Sequence, residues 1–286
     1  MADPEITYTI VTGATSGLGK ATALLLAQQP GHCVWAGAER EEYLEALRAA
    51  PPRLIPLVLD VTLPESIQGA AEIVAERVPA GARIGLVNNA GIAVFGPLEY
   101  LPLDRLARQF EVSLFGVVAV TQAFLPLMRR QGGGRIVNMG SISGRCAIPI
   151  IGPYCAAKFA LRSISDTLRV ELAPWNVQVA LIEAGAMYTG LMGGATRDLG
   201  DALAEGLPRQ HYGGIYARLQ RAVGYTYRLA APPEVVARAV LRILTSKRPR
   251  PYYRVGRGAW VATLWESFVP ARVRDWLVGR LYRFEQ

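Results

Sequence analysis

Over its first 185 residues the sequence alternates between two periods. Short runs rich in β-branched and aliphatic residues stand at 6–12, 32–36, 54–59, 84–88, 135–139 and 178–183. Between them lie stretches of helical spacing at 18–28, 64–78, 103–130 and 153–173. Strands joined through helices pair in parallel, and a parallel sheet needs cover on both faces. The rhythm therefore predicts an α/β fold: a single doubly wound Rossmann-type domain, a mostly parallel sheet with helices on both faces. A ligand would bind at the carboxyl ends of the strands. A seventh strand is expected at 252–255. With 286 residues, 51% of them hydrophobic and 19% charged, the chain can bury a sizeable core and is not disordered.

The first strand runs into Thr12-Gly13-Ala14-Thr15-Ser16-Gly17-Leu18-Gly19, which opens the first helix. Glycines there let backbone approach a pyrophosphate, and the helix N-terminus offers N–H groups to its charge. The spacing is G-x3-G-x-G, not the GxGxxG of the common dinucleotide fingerprint. Taken alone, the loop is also compatible with an ordinary glycine-rich turn.

Further motifs follow in order. Asn88-Asn89-Ala90-Gly91 comes after the fourth strand and Gly140-Ser141-Ile142-Ser143-Gly144 after the fifth. Tyr154-Cys155-Ala156-Ala157-Lys158 opens the next helix, and Gly185 to Thr189 follows the sixth strand. Together with the glycine loop they resemble the motif set of the short-chain dehydrogenase/reductase family. The pattern is nearest to the hydroxysteroid and retinol dehydrogenase branches. The resemblance spans residues 6 to 189 and is only general beyond. It implies an NAD(P)-dependent oxidoreductase that interconverts an alcohol and a ketone or aldehyde. It also implies cofactor contacts at Gly13, Thr15, Ser16, Gly17, Leu18, Gly19, Asn89, Ala90, Gly91, Tyr154, Lys158, Gly185, Met187 and Thr189.

The chemistry supports the same residues. Hydride transfer at a carbon–oxygen bond needs a proton to move on the oxygen. A tyrosine can move it if its pKa falls from about 10 toward neutrality, roughly 3 units or 4 kcal/mol. Positions i and i+4 share a helix face, so the Lys158 ammonium can favour the Tyr154 phenolate. Only three lysines stand against 28 arginines, which makes one here notable. Ser141, thirteen residues before Tyr154, is the expected holder of the substrate oxygen, with Ser143 as its competitor. Two positions depart from the family pattern. Ser113 stands where an asparagine usually completes the catalytic tetrad, so a shorter hydroxyl replaces an amide. Ala184 replaces a common proline before Gly185.

Cofactor choice turns on the end of the second strand. Ala38 occupies the position where a carboxylate would bind the ribose of NAD. Arg40 can take a 2′-phosphate and Glu39 would repel one, so NADP is slightly favoured over NAD. Asp60, with Val61 beside it, resembles the residue that contacts adenine in the family.

The formal charge of +8 is concentrated late in the chain. Residues 247–286 hold nine Lys/Arg and three Asp/Glu. A basic tail is not a nucleic-acid-binding face, and no nucleic acid partner is expected. Two histidines argue against the usual zinc sites, and no metal is expected. Cys33, Cys146 and Cys155 show no CxxC spacing, which fits a reduced, cytoplasmic location. Residues 1–10 lack a basic segment and carry no secretory signal pattern. The uncharged run 112–128 is short for a membrane span and fits a buried helix.

A catalytic domain is thus expected at 1–256, with a substrate lid at 186–230 that holds five of the twelve tyrosines. Ring-rich lids suit small lipophilic alcohols or ketones. The extension 257–286 is amphipathic and basic. Trp260, Leu264, Phe268, Val273, Leu277 and Leu281 recur at helical spacing, and Pro270 divides the run. The stretch 258–284 suits peripheral contact with a membrane; packing on the domain or on a partner subunit of a homo-oligomer is the alternative. A non-catalytic dinucleotide-binding protein of the same fold is the competing functional class.

Overall fold

The structure is a computed structural model that describes residues 6–47, 51–202, 206–228, 230–260, 265 and 268–282. Seven strands form one sheet: β1 (Thr7–Val11), β2 (His32–Ala38), β3 (Leu54–Val58), β4 (Arg83–Asn88), β5 (Gly134–Ser141), β6 (Val177–Ala184) and β7 (Tyr252–Val255). Their order is β3-β2-β1-β4-β5-β6-β7, and every neighbouring pair is parallel. The order reverses beside β1, which pairs with both β2 and β4, so a crevice opens where the chain leaves these strands in opposite directions.

Alternation along the strands feeds two cores. Ile10, Leu57, Val74, Phe124 and Met128 pack on one face, with α3 (Pro64–Arg77) and α5 (Gly116–Arg130). Val11, Val34, Leu26, Val240 and Ile243 pack on the other, with α1 (Gly17–Ala27) and α9 (Glu234–Thr245). Each such side chain, fully buried, contributes about 1.5–3 kcal/mol.

A polar chain crosses the apolar interior and aims α6 (Gly152–Glu171), the helix that carries Tyr154 and Lys158. Asn88 Nδ2 donates to Asn138 Oδ1 at 2.9 Å and to Thr121 Oγ1 at 3.1 Å. Asn138 Nδ2 donates to Ser165 Oγ at 2.9 Å, on α6. Buried polar groups are costly unless bonded, so this chain fixes β4, β5 and α6 in one arrangement.

Two stretches differ from expectation. The single helix expected at 103–130 is α4 (Leu103–Phe110), a π turn (Glu111–Phe115) and α5. Short π segments recur at functional sites because the extra residue re-aims a side chain, here Ser113. By length and composition 103–130 could cross a membrane, but Val112, Val120, Phe124 and Met128 are buried against the sheet. The lid region has more regular structure than its weak periodicity signals: α7 (Gly190–Ala202) and α8 (Gly206–Arg228). Its many glycines dilute the apolar stripe, and each costs a helix about 1 kcal/mol relative to alanine. A short α2 (Glu41–Leu44) and a terminal α10 (Ala271–Tyr282) complete the set.

Candidate active site

A cavity of about 540 Å³ lies over the carboxyl ends of the strands. Ala38, Glu39, Asp60 and Val61 line one end, and Tyr154, Lys158 and Thr189 the other. Gly13, Thr15, Ser16, Gly17, Leu18, Asn89, Ala90 and Gly91 line the middle. Arg40 stays outside this lining, on the surface, with Glu42 at 3.6 Å.

The glycine loop is locked from beneath by the motif after β4. Thr12 Oγ1 accepts the N–H groups of Asn89 and Ala90, both at 2.9 Å. Asn89 Nδ2 donates to the carbonyls of Thr12 and Gly13, at 2.9 and 3.0 Å. Gly13 has φ +61°, and a Cβ on Gly19 would lie 2.2 Å from the Gly13 carbonyl oxygen. Only glycine lets the loop fold back onto its own helix here. The N-terminus of α1 carries no acidic residue in its first turn, and its Ser16 makes no side-chain cap. Free N–H groups facing a cavity of this length fit the diphosphate of a dinucleotide. One oxygen of Asp60 accepts from the Thr62 N–H and hydroxyl, at 2.9 and 2.8 Å, which shapes the wall at the adenine end.

At the other end β5 delivers Ser141. Its hydroxyl accepts the Ser143 N–H at 3.1 Å, and it lies near enough to the Tyr154 phenol to oppose the effect of burial there. Ser143 lies instead on the side of Cys155. Lys158 lies one turn after Tyr154; its Nζ donates to the Met139 carbonyl at 2.8 Å and stands 5.8 Å from the phenol ring centroid. Burial lowers Lys158 to about 8. Burial also pushes Tyr154 up, against the effect of Ser141. Desolvation disfavours the charged phenolate.

Ser113 reaches the same corner: a Cβ on Gly91 would lie 3.6 Å from Ser113 Oγ and 3.8 Å from Lys158 Nζ. Gln109 had no part in the sequence expectations. Its Nε2 donates to Ser113 Oγ at 2.9 Å and to the Ile92 carbonyl at 3.0 Å, while its Oε1 accepts the Val94 N–H at 2.7 Å. The available signal was its i,i+4 spacing to Ser113. If Ser113 relays protons toward Lys158, Ser113→Ala should lower kcat several-fold and Ser113→Asn should be tolerated. An unchanged rate in Ser113→Ala would show that the relay bypasses it.

After β6, the Gly185 N–H donates to the Val255 carbonyl at 2.8 Å, and a Cβ there would meet the Arg257 carbonyl oxygen at 2.3 Å. Ala184 continues β6 as its last residue. Met187 packs against the core on the α1 face rather than lining the cavity; Thr189 lines it. Residues of α7 and α8 pack beside the phenol. Leu199, Ile215 and Leu219 form one apolar cluster with Phe95, Ile150 and Tyr154. Tyr212 donates to Glu99 at 2.9 Å, and the Tyr100 hydroxyl meets His211 Nδ1 at 2.7 Å. Tyr212 and Tyr216 face this cluster, whereas Tyr188 and Tyr225 are exposed. The Tyr227 side chain lies outside the described residues.

Residues 7–200 match the family model described as short chain dehydrogenase. The chain belongs to the short-chain dehydrogenase family. It is an NAD(P)-dependent oxidoreductase, and its site binds a nicotinamide dinucleotide. Among relatives within the family, retinol dehydrogenase 5 of Mus musculus is 36% identical over 289 residues, covering 96% of this chain and 89% of that protein. The mitochondrial D-beta-hydroxybutyrate dehydrogenase of Bos taurus is 35% identical over 262 residues, covering 85% and 75%. A short chain dehydrogenase from Burkholderia cenocepacia J2315, solved in complex with NADP, superposes with a TM-score of 0.71 at 25% identity. That match covers 98% of this chain and 99% of the other.

Proposed function

We propose that this oxidoreductase interconverts a lipophilic alcohol, of steroid, retinoid or lipid type, and its ketone or aldehyde. The observation that carries the reading is Tyr154 and Lys158 lining one end of the cavity over the strand ends, beside an apolar cluster and with Ser141 at the tip of β5. When bound, the nicotinamide supplies or accepts the hydride and, in its oxidised form, a positive charge beside the phenol. Tyr154 gives its proton to the carbonyl oxygen or takes one from the alcohol. Ser141 holds that oxygen, and Lys158 favours the phenolate when protonated. Lys158 also hands protons on through Ser113. The Met139 carbonyl orients its ammonium. Leu199, Ile215 and Leu219 exclude water from the reacting carbon.

NADP is modestly preferred in this reading. Ala38 has no carboxylate for the ribose, and the Arg40–Glu42 pair is exposed, worth about 0–1 kcal/mol and readily exchanged for a phosphate. The test is kcat/KM with each cofactor over a panel of steroid, retinoid and acyl carbonyls. NADP should win, and Arg40→Ala should narrow the gap. A clear NAD preference that Glu39→Ala reduces would make Glu39 the ribose ligand and reverse the assignment.

The enzyme is further proposed to sit in the cytoplasm, peripheral to the membrane. Support comes from α10, which begins directly after Pro270 and touches the lid through Val278, with Phe268 (78% exposed) just before that proline. Phe268, Trp276 and Leu277 stay exposed beside Arg272, Arg274 and Arg280, a mixture suited to an anionic interface. Leu264, Arg283 and the Leu281 side chain lie outside the described residues. Intact protein should co-sediment with anionic liposomes at low salt, and a form ending at Arg257 should not. Equal binding by both forms, or none by the intact protein, ends the membrane reading.

A further inference from the structure

A set of buried charges holds the Ser141 turn, and the chemistry above does not use them. Glu183 on β6 pairs across the ladder with Gly140, the residue before Ser141. Its side chain is 1% exposed and that of Arg145 is 5% exposed. Arg145 Nε donates to Glu183 Oε1 at 2.5 Å, and Arg254 Nε on β7 stands 3.4 Å from Glu183 Oε2. So dry an ion pair needs a reason other than stability, because an apolar pair of similar volume is often as stable.

The reason lies in what Arg145 terminates. Between Ser141 and Arg145 the chain makes one tight turn (Ile142–Gly144), with the Arg145 N–H donating to the Ile142 carbonyl at 3.0 Å. The last residue of the turn presses on α6: a Cβ on Gly144 would lie 2.8 Å from the Lys158 carbonyl oxygen. One end of the turn thus carries the Ser141 hydroxyl, and Glu183 holds the other. Arg145 also stands over the Tyr252 ring, 5.6 Å from its centroid, and Tyr252 donates to Asp166 on α6 at 2.6 Å. The same guanidinium therefore references the turn both to the sheet and to the helix that carries Tyr154. An apolar pair would fill this space but would impose no direction on the turn.

We infer that Arg145 and Glu183 are positioning residues that fix the Ser141 hydroxyl beside the Tyr154 phenol. The inference rests on the roles given above to Ser141 and Tyr154. Removing Glu183 alone would leave the Arg145 guanidinium buried without its carboxylate, so the informative variant removes that pair together, Arg145→Met with Glu183→Leu, while Arg254, 22% exposed, can turn to solvent. It should stay folded with cofactor affinity within about twofold of wild type, while kcat falls about tenfold, a coupling typical of residues that act through one network. The pH profile of alcohol oxidation should move to higher pH, because a phenol that loses the Ser141 hydroxyl as a neighbour ionises less readily.

Adding Ser141→Ala to the double variant should cost little beyond Ser141→Ala alone, since both changes act on one hydroxyl. A wild-type kcat and pH profile in the double variant overturns the inference, and so do fully additive losses. If Ser141→Ala alone runs at the wild-type rate, the assignment of Ser141 falls and the positioning role falls with it. Should the double variant not fold, Arg145→Lys decides on the same readouts. It keeps the charge but loses the directed Nε–H, so a lower kcat with the same alkaline shift is expected, and an unchanged enzyme refutes the role.

Discussion

Tyr154→Phe should lower turnover by about 10²–10⁴-fold, the loss typical of removing a general acid–base group. Phenylalanine keeps the ring packed against Phe95, Ile150 and Ile215, so the lid cluster and the fold should survive. What disappears is the hydroxyl proposed to exchange a proton with the substrate oxygen. Cofactor affinity should change little, because most of the lining of the cleft, the glycine loop included, is untouched. Steady-state rates and a cofactor binding titration on the same preparation check both halves. A variant that keeps more than about a tenth of wild-type activity would remove Tyr154 from the chemistry.

Gly19→Ala should do the opposite: weaken cofactor binding while leaving the groups around Tyr154 untouched. The new Cβ would lie 2.2 Å from the Gly13 carbonyl oxygen and 2.4 Å from Asn89 Nδ2. Neither neighbour can yield cheaply, because Asn89 is bonded to both loop carbonyls and Gly13 is locked by Thr12 and Asn89. Overpacking of this kind costs about 1–3 kcal/mol, which corresponds to roughly 5- to 150-fold in affinity if the loop absorbs it. Fluorescence titration with reduced cofactor measures that loss. Unchanged affinity would mean that the loop is not the cradle it resembles.

Much of this site is legible in the sequence because its motifs are local. The glycine loop and the Asn88–Gly91 segment lie within a few residues of a strand end, and Tyr154 and Lys158 stand one turn apart on a single helix. Their positions along one cleft then follow from the parallel sheet. The strands at 84–88 and 252–255 were readable from short apolar runs between turns. The π turn at Glu111–Phe115 was not, because its extra residue is fixed by the tertiary bonds of Gln109 and Ser113 to Ile92 and Val94. Nor were Arg145 and Glu183, whose pairing joins residues 38 positions apart through the β5–β6 register.

The central claim is hydride transfer between the bound nicotinamide and a carbonyl carbon of a lipophilic substrate. The most direct measurement uses reduced cofactor carrying deuterium at the transferring position, in single turnover with the best substrate of the steroid, retinoid and acyl panel. The account predicts deuterium on the carbinol carbon of the product, one for each cofactor oxidised. Firm binding of both reduced cofactors with no label transferred to any member of the panel would contradict it, and would favour a dinucleotide-binding protein without catalysis.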